Sequence, residues 1–460
     1  MRYVRDQHTK RGPAAGATVT LVSAQALLGV LNAYLLVLLG AAVSERGRPR
    51  PATSGSDPLR FLVVIPAHDE EGGIEATLAS LQRLDYPQDR LELIVVADNC
   101  RDATAALATS MGATVWERDD RSHPGKGRAL AWAFERAWRE RPLAQAVALV
   151  DADCSATPNL LLAMGERLRS GADAVQVDNA IANGEESTAS ALRYAAFVLI
   201  NTIRPLGKTR LGLSCGLSGT GMGFSRALLE RQPWKAVSLA EDREYHLRLV
   251  AAGERVVFAS EAAVSSPVAT SLARASEQQL RWEAGSFAAV PEWTAKLVKK
   301  GLRERDPNRV HAGLEPLVPP QALLALVQLG LFTAAIALRS RLALGVAAAN
   351  LVGQASFVLG GLALVNAPRA AYRALALAPV LIVCKVGLYA RLMAGRGPRR
   401  WVRTERPLPA TEQVPPEPAW PHLARRSPGG SRPGRHRPRS TAGDSGTRRG
   451  AGRGSPPRAS

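Results

Sequence analysis

In the middle of the chain, hydrophobic patterns typical of strands alternate with patterns typical of helices. Continuous apolar runs predict strands at 61–66, 91–97 and 146–150. Between these runs, apolar positions recur at the three- and four-residue spacing of helices that bury one face. This alternation is typical of a mostly parallel sheet with helices on both faces, so the predicted fold class is α/β. Further strands are predicted near 113–116, 174–178 and 255–259, and helices at 74–84, 104–111, 128–139, 160–169, 189–203 and 243–252.

The first apolar run precedes this pattern. Residues 19–43 carry no charge. A membrane-spanning helix needs about 20 such residues, and the arginines that follow leave no convincing cleavage site of a signal peptide. We therefore expect a retained transmembrane helix at 19–43, with a basic segment at 1–18 before it and a linker at 44–58 after it.

Three further apolar runs, at 319–338, 342–365 and 374–393, follow the α/β region. Each is long enough to cross a bilayer, so two to three transmembrane helices are expected within 319–394. The connector at 284–318 mixes Trp, Leu and Val with Lys, which suits an interfacial helix or a plain surface helix. We expect a multi-pass protein of the cell membrane with residues 59–283 as its cytosolic domain.

The net positive charge of the chain is concentrated near the C-terminus. The 460 residues carry a formal charge of +19. The segment from Arg396 onward contains fifteen arginines and four acidic residues, and it is rich in Pro, Gly and Ser. This composition predicts a disordered tail at 395–460, and no specific nucleic-acid partner is expected. Four cysteines without metal-ligand spacing are typical of a reduced, cytosolic setting.

The strand at 146–150 ends in two carboxylates, Asp151 and Asp153, with one alanine between them. Ligands of open α/β sheets bind beyond the carboxyl ends of the strands, and side chains two residues apart on an extended backbone lie on the same side. Two anions this close favour a divalent cation that bridges to phosphate oxygens. The structural alternative is that Asp153 caps the next helix and Asp151 is a solvated strand end.

Other polar residues are placed to meet at the same edge of the sheet. Asp98 ends the second strand and could accept hydrogen bonds from a base or ribose, while Lys126 offers a point charge for a phosphate or carboxylate. Asp242, at a helix start, is a candidate general base for a hydroxyl acceptor. Taken alone, Asp242 would more often be a first-turn helix acid and Lys126 a solvated loop residue. Together these clusters predict a nucleotide-sugar transferase.

The polar clusters form an ordered series of six motifs: Ile65-Pro66-Ala67-His68-Asp69-Glu70-Glu71, Val96-Ala97-Asp98-Asn99-Cys100, Gly125-Lys126-Gly127, Asp151-Ala152-Asp153, Glu241-Asp242 and Gln278-x-x-Arg281-Trp282. The series resembles the inverting glycosyltransferases of family two, and among them the membrane-embedded cellulose, chitin, hyaluronan and poly-N-acetylglucosamine synthases. The resemblance covers about residues 59–283 and the flanking apolar runs. It implies a GT-A-type nucleotide-sugar-binding domain flanked by transmembrane helices.

The resemblance also implies a role for each matching residue. Asp242 would be the general base, and Asp153 would bind Mn²⁺ or Mg²⁺. The implied reaction is a single displacement with inversion, from a donor expected to be UDP-linked to a hydroxyl of a carbohydrate or glycolipid. Contacts to the nucleotide sugar are implied for Pro66, Glu70, Asp98, Lys126 and Asp151, and contacts to the diphosphate and acceptor for Glu241, Gln278, Arg281 and Trp282.

Two other functions stay open at this point. Transfer of one sugar to polyprenyl phosphate uses the same chemistry, although Arg281-Trp282 argues against it. A non-catalytic membrane scaffold, whose tail binds anionic lipid or nucleic acid, has no need of both Asp153 and Asp242. We therefore expect a metal-dependent enzyme of the cell envelope that forms a β-linked polysaccharide or glycolipid. Its expected partners are a nucleotide-sugar donor, an acceptor and membrane lipids.

Overall fold

The computed structural model describes residues 5–45, 57–270, 293–377 and 387, with side chains from residue 16 onward. One sheet of eight strands organises the part between the apolar helices. The strands are β1 (Phe61–Ala67), β2 (Leu91–Asp98), β3 (Thr114–Arg118), β4 (Ala146–Leu149), β5 (Ser155–Ala156), β6 (Ala174–Ile181), β7 (Met222–Ser225) and β8 (Val256–Ser266).

The strand order is β3-β2-β1-β4-β7-β6-β8-β5. β1 pairs in parallel with β2 and β4, and β2 pairs in parallel with β3. β7 lies antiparallel between β4 and β6, while β6 and β8 are again parallel. The predicted α/β class is confirmed. The sheet as a whole is mixed, because β7 runs against the strands on either side of it.

Helices cover both faces of this sheet. Alternate side chains of β1 enter two different cores, Val63 and Ile65 with helix α2 (Ile74–Gln82) and Leu62 and Val64 with helix α4 (Lys126–Glu140). This alternation is what a strand buried on both faces requires. The helices of this part are α2 (Ile74–Gln82), α3 (Thr104–Ser110), α4 (Lys126–Glu140), α5 (Leu160–Arg169), α6 (Thr188–Phe197), α7 (Arg204–Arg210), α8 (Arg226–Arg231) and α9 (Glu241–Ala252).

The glycine-rich stretch before β7 turns tightly across the end of the sheet. Gly221 has φ +64°, and a Cβ there would lie 2.6 Å from Val177 Cγ2 and 2.8 Å from Val264 Cγ2. Both the left-handed backbone and the close approach of the two valines exclude a side chain. The chain can therefore pass from this turn directly into β7.

Apolar helices flank the α/β part at both ends. They are α1 (Arg5–Glu45), α12 (Gln321–Ala337) and α13 (Arg341–Leu364), and the connector before α12 contains a helix at 293–304 (α10) and α11 (Pro307–Leu314). Among the described residues, Gly16–Glu45 and Arg341–Leu364 are long and apolar enough to cross a membrane. A third span would result if Pro307–Leu317 and Gln321–Ala337, which meet at a bend of 68°, crossed together.

The predicted run at 19–43 lies within α1, and those at 319–338 and 342–365 coincide closely with α12 and α13. Most of the run at 374–393 lies outside the described residues, as does the whole predicted tail at 395–460. A short helix, α14 (Arg369–Leu375), lies near the end of the described segment 293–377. The predicted connector at 284–318 contains α10 and α11, and only its residues from 293 onward are described.

α1 packs directly against the α/β part and against α13. A Cβ on Gly207 of α7 would lie 2.3 Å from the Leu38 carbonyl oxygen, so the two helices touch backbone to backbone. Between the apolar helices, Asn32 Nδ2 donates to Asn350 Oδ1 at 3.2 Å, and Asn350 Nδ2 donates to the Gln25 carbonyl oxygen at 2.9 Å. Close packing and buried amide contacts thus fix α1 to both of its neighbours.

Candidate active site

Three parallel strands bring acidic residues to one edge of the sheet. Asp98 is the last residue of β2, and Asp151 and Asp153 follow β4, while β1 lies between these two strands. Thr77 Oγ1 of α2 donates to the Ala152 carbonyl oxygen at 2.8 Å and holds the turn between the two aspartates. The predicted convergence of polar strand ends is therefore present.

Lys126 lies at the centre of the acidic cluster. Its Nζ is 2.6 Å from Asp151 Oδ1, 3.5 Å from Glu241 Oε1 and 2.7 Å from the Gly219 carbonyl oxygen. The α4 helix begins at Lys126 itself, after Gly125 at φ +119°. One ammonium group therefore joins the end of β4, the glycine-rich turn and the start of α9.

Close packing of the start of α4 fixes the position of Lys126. A Cβ on Gly127 would lie 2.2 Å from the Ala236 carbonyl oxygen, so α4 approaches the segment before α9 more closely than any side chain permits. Burial alone lowers the pKa of Lys126, but the nearby Asp151 and Glu241 carboxylates outweigh burial, and the net pKa is raised. Lys126 is therefore a permanent cation in this site.

The pKa values of the two acids that begin α9 are raised as well, and in an acid this favours the neutral form. Burial raises the pKa of Glu241 and of Asp242, and the charge of Lys126 offsets part of this rise in both. Asp242 Oδ1 accepts a hydrogen bond from the Arg243 backbone N–H at 2.7 Å. A Cβ on Gly219 would lie 3.5 Å from Asp242 Oδ2 and 3.8 Å from Lys126 Nζ. A buried carboxyl group with a raised pKa has a property expected of a general base.

Asp98 is engaged by a residue that sequence reasoning did not identify. Arg118, the last residue of β3, donates from Nη1 to Asp98 Oδ1 at 2.5 Å and from Nη2 to Asp120 Oδ2 at 2.9 Å. The Asn99 amide also donates to Asp98 Oδ1, at 2.9 Å. The only signal in the sequence is an arginine at the end of a third parallel strand, beside the strand that ends in Asp98.

The glycine-rich turn is a second feature that sequence reasoning left without assigned side chains. The Asp151 backbone N–H donates to Thr220 Oγ1 at 3.1 Å, and the Ser218 N–H donates to Gln176 Oε1 at 2.9 Å. Gln176 Nε2 in turn donates to the Thr220 carbonyl oxygen at 2.8 Å. The buried Gln176 amide therefore holds the turn against Asp151.

The residues around Asp153 fit a divalent cation. Asp151 and Asp153 offer carboxylate oxygens, and Mg²⁺ is commonly bound by one or two carboxylates together with substrate phosphates. A Cβ on Gly73, just before α2, would lie 3.8 Å from Asp153 Cα, so this aspartate lies under the turn after β1. The donor set is hard and anionic, as such an ion requires.

A different group of ligand atoms gathers beyond β1 and β2. Within the described residues, Asp69, Cys100 and Asp102 each offer a ligand atom within 4.8 Å of the others. Burial raises the pKa of the Cys100 thiol to about 11, so this sulfur stays protonated. Asp69 Oδ1 accepts from the Arg101 N–H at 2.7 Å, and Asp102 Oδ1 accepts from Thr104 Oγ1 at 2.5 Å. These contacts are typical of a loop that is closed on itself.

The other predicted site residues divide into two groups. Pro66 lies within β1, paired with Val96, and Glu70 follows that strand with its backbone N–H bonded to Thr104 Oγ1 at 2.8 Å. Both therefore border the edge where the acidic strand ends meet. The three residues of the last motif, Gln278, Arg281 and Trp282, lie outside the described residues.

Residues 58–285 match the family model described as "Glycosyltransferase like family 2". The chain is 24% identical over 299 residues to the probable glycosyltransferase YdaM of Bacillus subtilis, an alignment that spans 62% of this chain and 70% of YdaM. It is also 24% identical over 288 residues to the beta-monoglucosyldiacylglycerol synthase of Trichormus variabilis, spanning 61% of this chain and 60% of that protein.

Among solved structures, the mannosyltransferase PcManGT from Pyrobaculum calidifontis, in complex with GDP-Man and Mn²⁺, is 17% identical to the chain. That comparison has a TM-score of 0.46 and covers 75% of this chain and 99% of the mannosyltransferase.

Proposed function

From the match of residues 58–285 to the glycosyltransferase family 2-like model, together with the GT-A-like fold, we infer that the chain is a glycosyltransferase that uses a nucleotide-sugar donor. From this premise we propose that it is a membrane-bound, metal-dependent, inverting enzyme that transfers a sugar to a hydroxyl acceptor and forms a β-linked glycolipid or polysaccharide. The donor is UDP-linked, and the catalytic domain faces the cytosol.

One observation carries the proposal, namely that Lys126 joins Asp151 to the pair Glu241 and Asp242. Asp151 belongs to the strand ends where the donor is expected, and Asp242 begins the helix that would supply the base. A donor and an acceptor bound on the two sides of Lys126 would meet at this ammonium group. An inverting displacement needs this arrangement, because the attacking hydroxyl and the leaving group act at opposite sides of one carbon.

Each residue then has a task in the reaction. Asp98 and Asp151 hold the nucleoside, and Lys126 balances the charge of the leaving diphosphate. Asp153 would hold Mn²⁺ or Mg²⁺, which when bound supplies further positive charge against that diphosphate. Asp242 accepts the proton of the acceptor hydroxyl as its oxygen attacks the anomeric carbon. The bond to the diphosphate breaks, and an α-linked donor gives a β-linked product.

Two observations support a lipid-linked acceptor. Two described helices are long and apolar enough to cross a membrane, and one of them contacts the catalytic domain through Gly207. One relative is named as a synthase of beta-monoglucosyldiacylglycerol, which is a glycolipid. Both favour a product that stays in the membrane.

The test is transfer by the purified full-length protein in lipid nanodiscs, with a panel of radiolabelled nucleotide sugars and Mn²⁺ or Mg²⁺. We expect release of a nucleoside diphosphate and a labelled lipid-extractable or polymeric product. Asp242→Asn should lower turnover by about 10²–10⁴-fold, because no base remains, while donor binding measured by calorimetry persists. Near-normal turnover of this isosteric variant would refute the assigned base.

A further inference from the structure

A pocket of about 140 Å³ is lined by residues next to the proposed base in sequence and by residues of the connector before α12. Arg243, the residue after Asp242, lines it, as does Ser218 of the glycine-rich turn. Its other walls come from α7, from the irregular helix before it and from the segment between α11 and α12. The pocket therefore connects the predicted reaction centre with the apolar helices.

The walls of this pocket carry more positive than negative charge. Arg204 Nη2 and Lys208 Nζ both bond to one oxygen of Glu315, at 2.8 and 2.7 Å, so two cations share one carboxylate. Arg243 adds a third cation, whose charge also acts on the neighbouring Asp242. His246 does not change this balance, because burial lowers its pKa to about 3. Three cations against one anion leave a net charge of +2.

Two polar atoms of the pocket are buried without a hydrogen-bond partner among the described residues, namely Arg204 Nε and Ser218 Oγ. Each can donate a hydrogen bond, and buried donors without partners are costly in a folded protein. An oxyanion in this pocket would be an acceptor for such donors. Phosphate oxygens suit this role, since an arginine guanidinium and a hydroxyl are common phosphate donors.

The remaining wall of the pocket is apolar and leads toward the candidate membrane helices. Ile200, which is 45% exposed, Leu217 and Val318 line it, and α12 begins three residues after Val318. A purely soluble phosphate compound would gain nothing from this wall. An acyl chain would cover it and continue along α12.

We propose that this pocket binds the phosphate of a phospholipid acceptor whose headgroup hydroxyl reaches Asp242. The inference rests on the proposed function and adds the chemical class of the acceptor. The headgroup oxygen forms the new bond to the anomeric carbon, the bond from that carbon to the nucleoside diphosphate breaks, and the hydroxyl proton passes to Asp242. The phosphate stays bound to the positive wall throughout and is not consumed.

The test compares acceptors in vesicles of phosphatidylcholine that contain either phosphatidylglycerol or diacylglycerol, with water-soluble glycerol 3-phosphate as a third acceptor. We expect transfer to phosphatidylglycerol to exceed the other two by at least about tenfold, because only this acceptor offers hydroxyl, phosphate and acyl chain together. Equal transfer to diacylglycerol would overturn the phosphate subsite. Equal transfer to glycerol 3-phosphate would overturn the lipid as its source.

Two variants probe the subsite itself. Arg204→Gln removes one charge and leaves Lys208 paired with Glu315, and Ser218→Ala removes a hydroxyl whose oxygen has no hydrogen-bond partner in the described part of the chain. We expect Arg204→Gln to raise the KM for phosphatidylglycerol by about tenfold and Ser218→Ala to raise it less, with the donor KM unchanged. Arg210→Gln, on the same helix but outside the pocket, is the control.

The two proposals fail in different ways. Absence of nucleoside diphosphate release with every donor and acceptor would overturn the proposed function and this inference together. Donor-dependent transfer to a neutral acceptor that is insensitive to Arg204→Gln would overturn this inference alone. Transfer to a prenyl phosphate, which has no free hydroxyl, in place of phosphatidylglycerol would overturn it as well.

Discussion

The ammonium of Lys126 lies 2.6 Å from the carboxylate of Asp151, at the start of α4 and just beyond the end of β4. The same ammonium lies 3.5 Å from Glu241, next to the proposed base. One cation therefore sets the electrostatics of both halves of the site. Its removal should change both donor binding and the protonation of the acids that begin α9.

Lys126→Met should lower kcat/KM by at least about 100-fold and also change the pH profile. Burial raises the pKa of Asp242, and Lys126 now offsets part of that rise. Without the lysine the pKa of Asp242 rises further, so the acidic limb of the kcat/KM profile should move to higher pH. A rate assay across pH 5–9 measures this, with the exposed Arg128→Gln on the same helix as control. An unmoved acidic limb would contradict the coupling.

Asp153→Asn should weaken metal-dependent donor binding while leaving the fold intact. The substitution keeps the size of the side chain and removes the charge that a divalent cation requires. Titration calorimetry with donor, in the presence and absence of Mn²⁺, should show the wild type alone gaining affinity from the metal. The same gain in both proteins would show that the ion binds elsewhere.

Because of the buried Asp178, we expect the free energy of unfolding to fall as the pH rises. Burial raises its pKa from 3.8 to about 7, partly offset by the hydrogen bond from Thr202. The native state therefore keeps a proton that the unfolded chain loses, and stability falls between about pH 4 and pH 7, by up to roughly 4 kcal/mol. Thermal unfolding of Asp178→Asn at several pH values should show a smaller fall than the wild type. Identical slopes would exclude Asp178 as the cause.

Gly207→Ala should loosen the contact between the catalytic domain and α1. The new methyl group would lie 2.3 Å from the Leu38 carbonyl oxygen, so one helix has to move. Overpacking of this kind costs typically about 1–3 kcal/mol. Gly40→Ala is a matched control, because Gly40 also lies in a helix and has nothing within 4 Å of the added carbon. Equal melting temperatures of the two variants in detergent would contradict the close crossing.

The sequence is informative where local pattern and position in a strand decide the structure. β1, β2 and β4 are continuous apolar runs, and their carboxyl ends meet because parallel neighbours end at the same edge. This rule predicts the approach of Asp98 to Asp151 without knowledge of the side-chain contacts. Lys126 was placed by its motif, and its contacts agree with the expected partner chemistry of a phosphate or carboxylate.

The sequence does not predict features of the structure that depend on contacts between distant segments. β7 is a four-residue strand, and its position between β4 and β6 depends on how the turn around Gly221 packs against Val177. The pairing of Arg118 with Asp98 likewise arises from strand order, since the two residues are 20 apart. The pocket beside Arg243 joins residues of five separate segments, and no periodicity along the chain predicts that they meet.

The bond between Asn32 and Asn350 joins residues 318 positions apart. At about 5–20 residues per second, the ribosome needs roughly 15–60 s to make the second asparagine after the first. During that interval the side-chain amide of Asn32, which is buried in the folded protein, has no Asn350 to bond to. The catalytic domain is synthesised in the same interval. The packing of the N-terminal helix α1 is therefore completed only after α13 has been synthesised. A ribosome stalled before α13 would leave the amide of Asn32 without that partner.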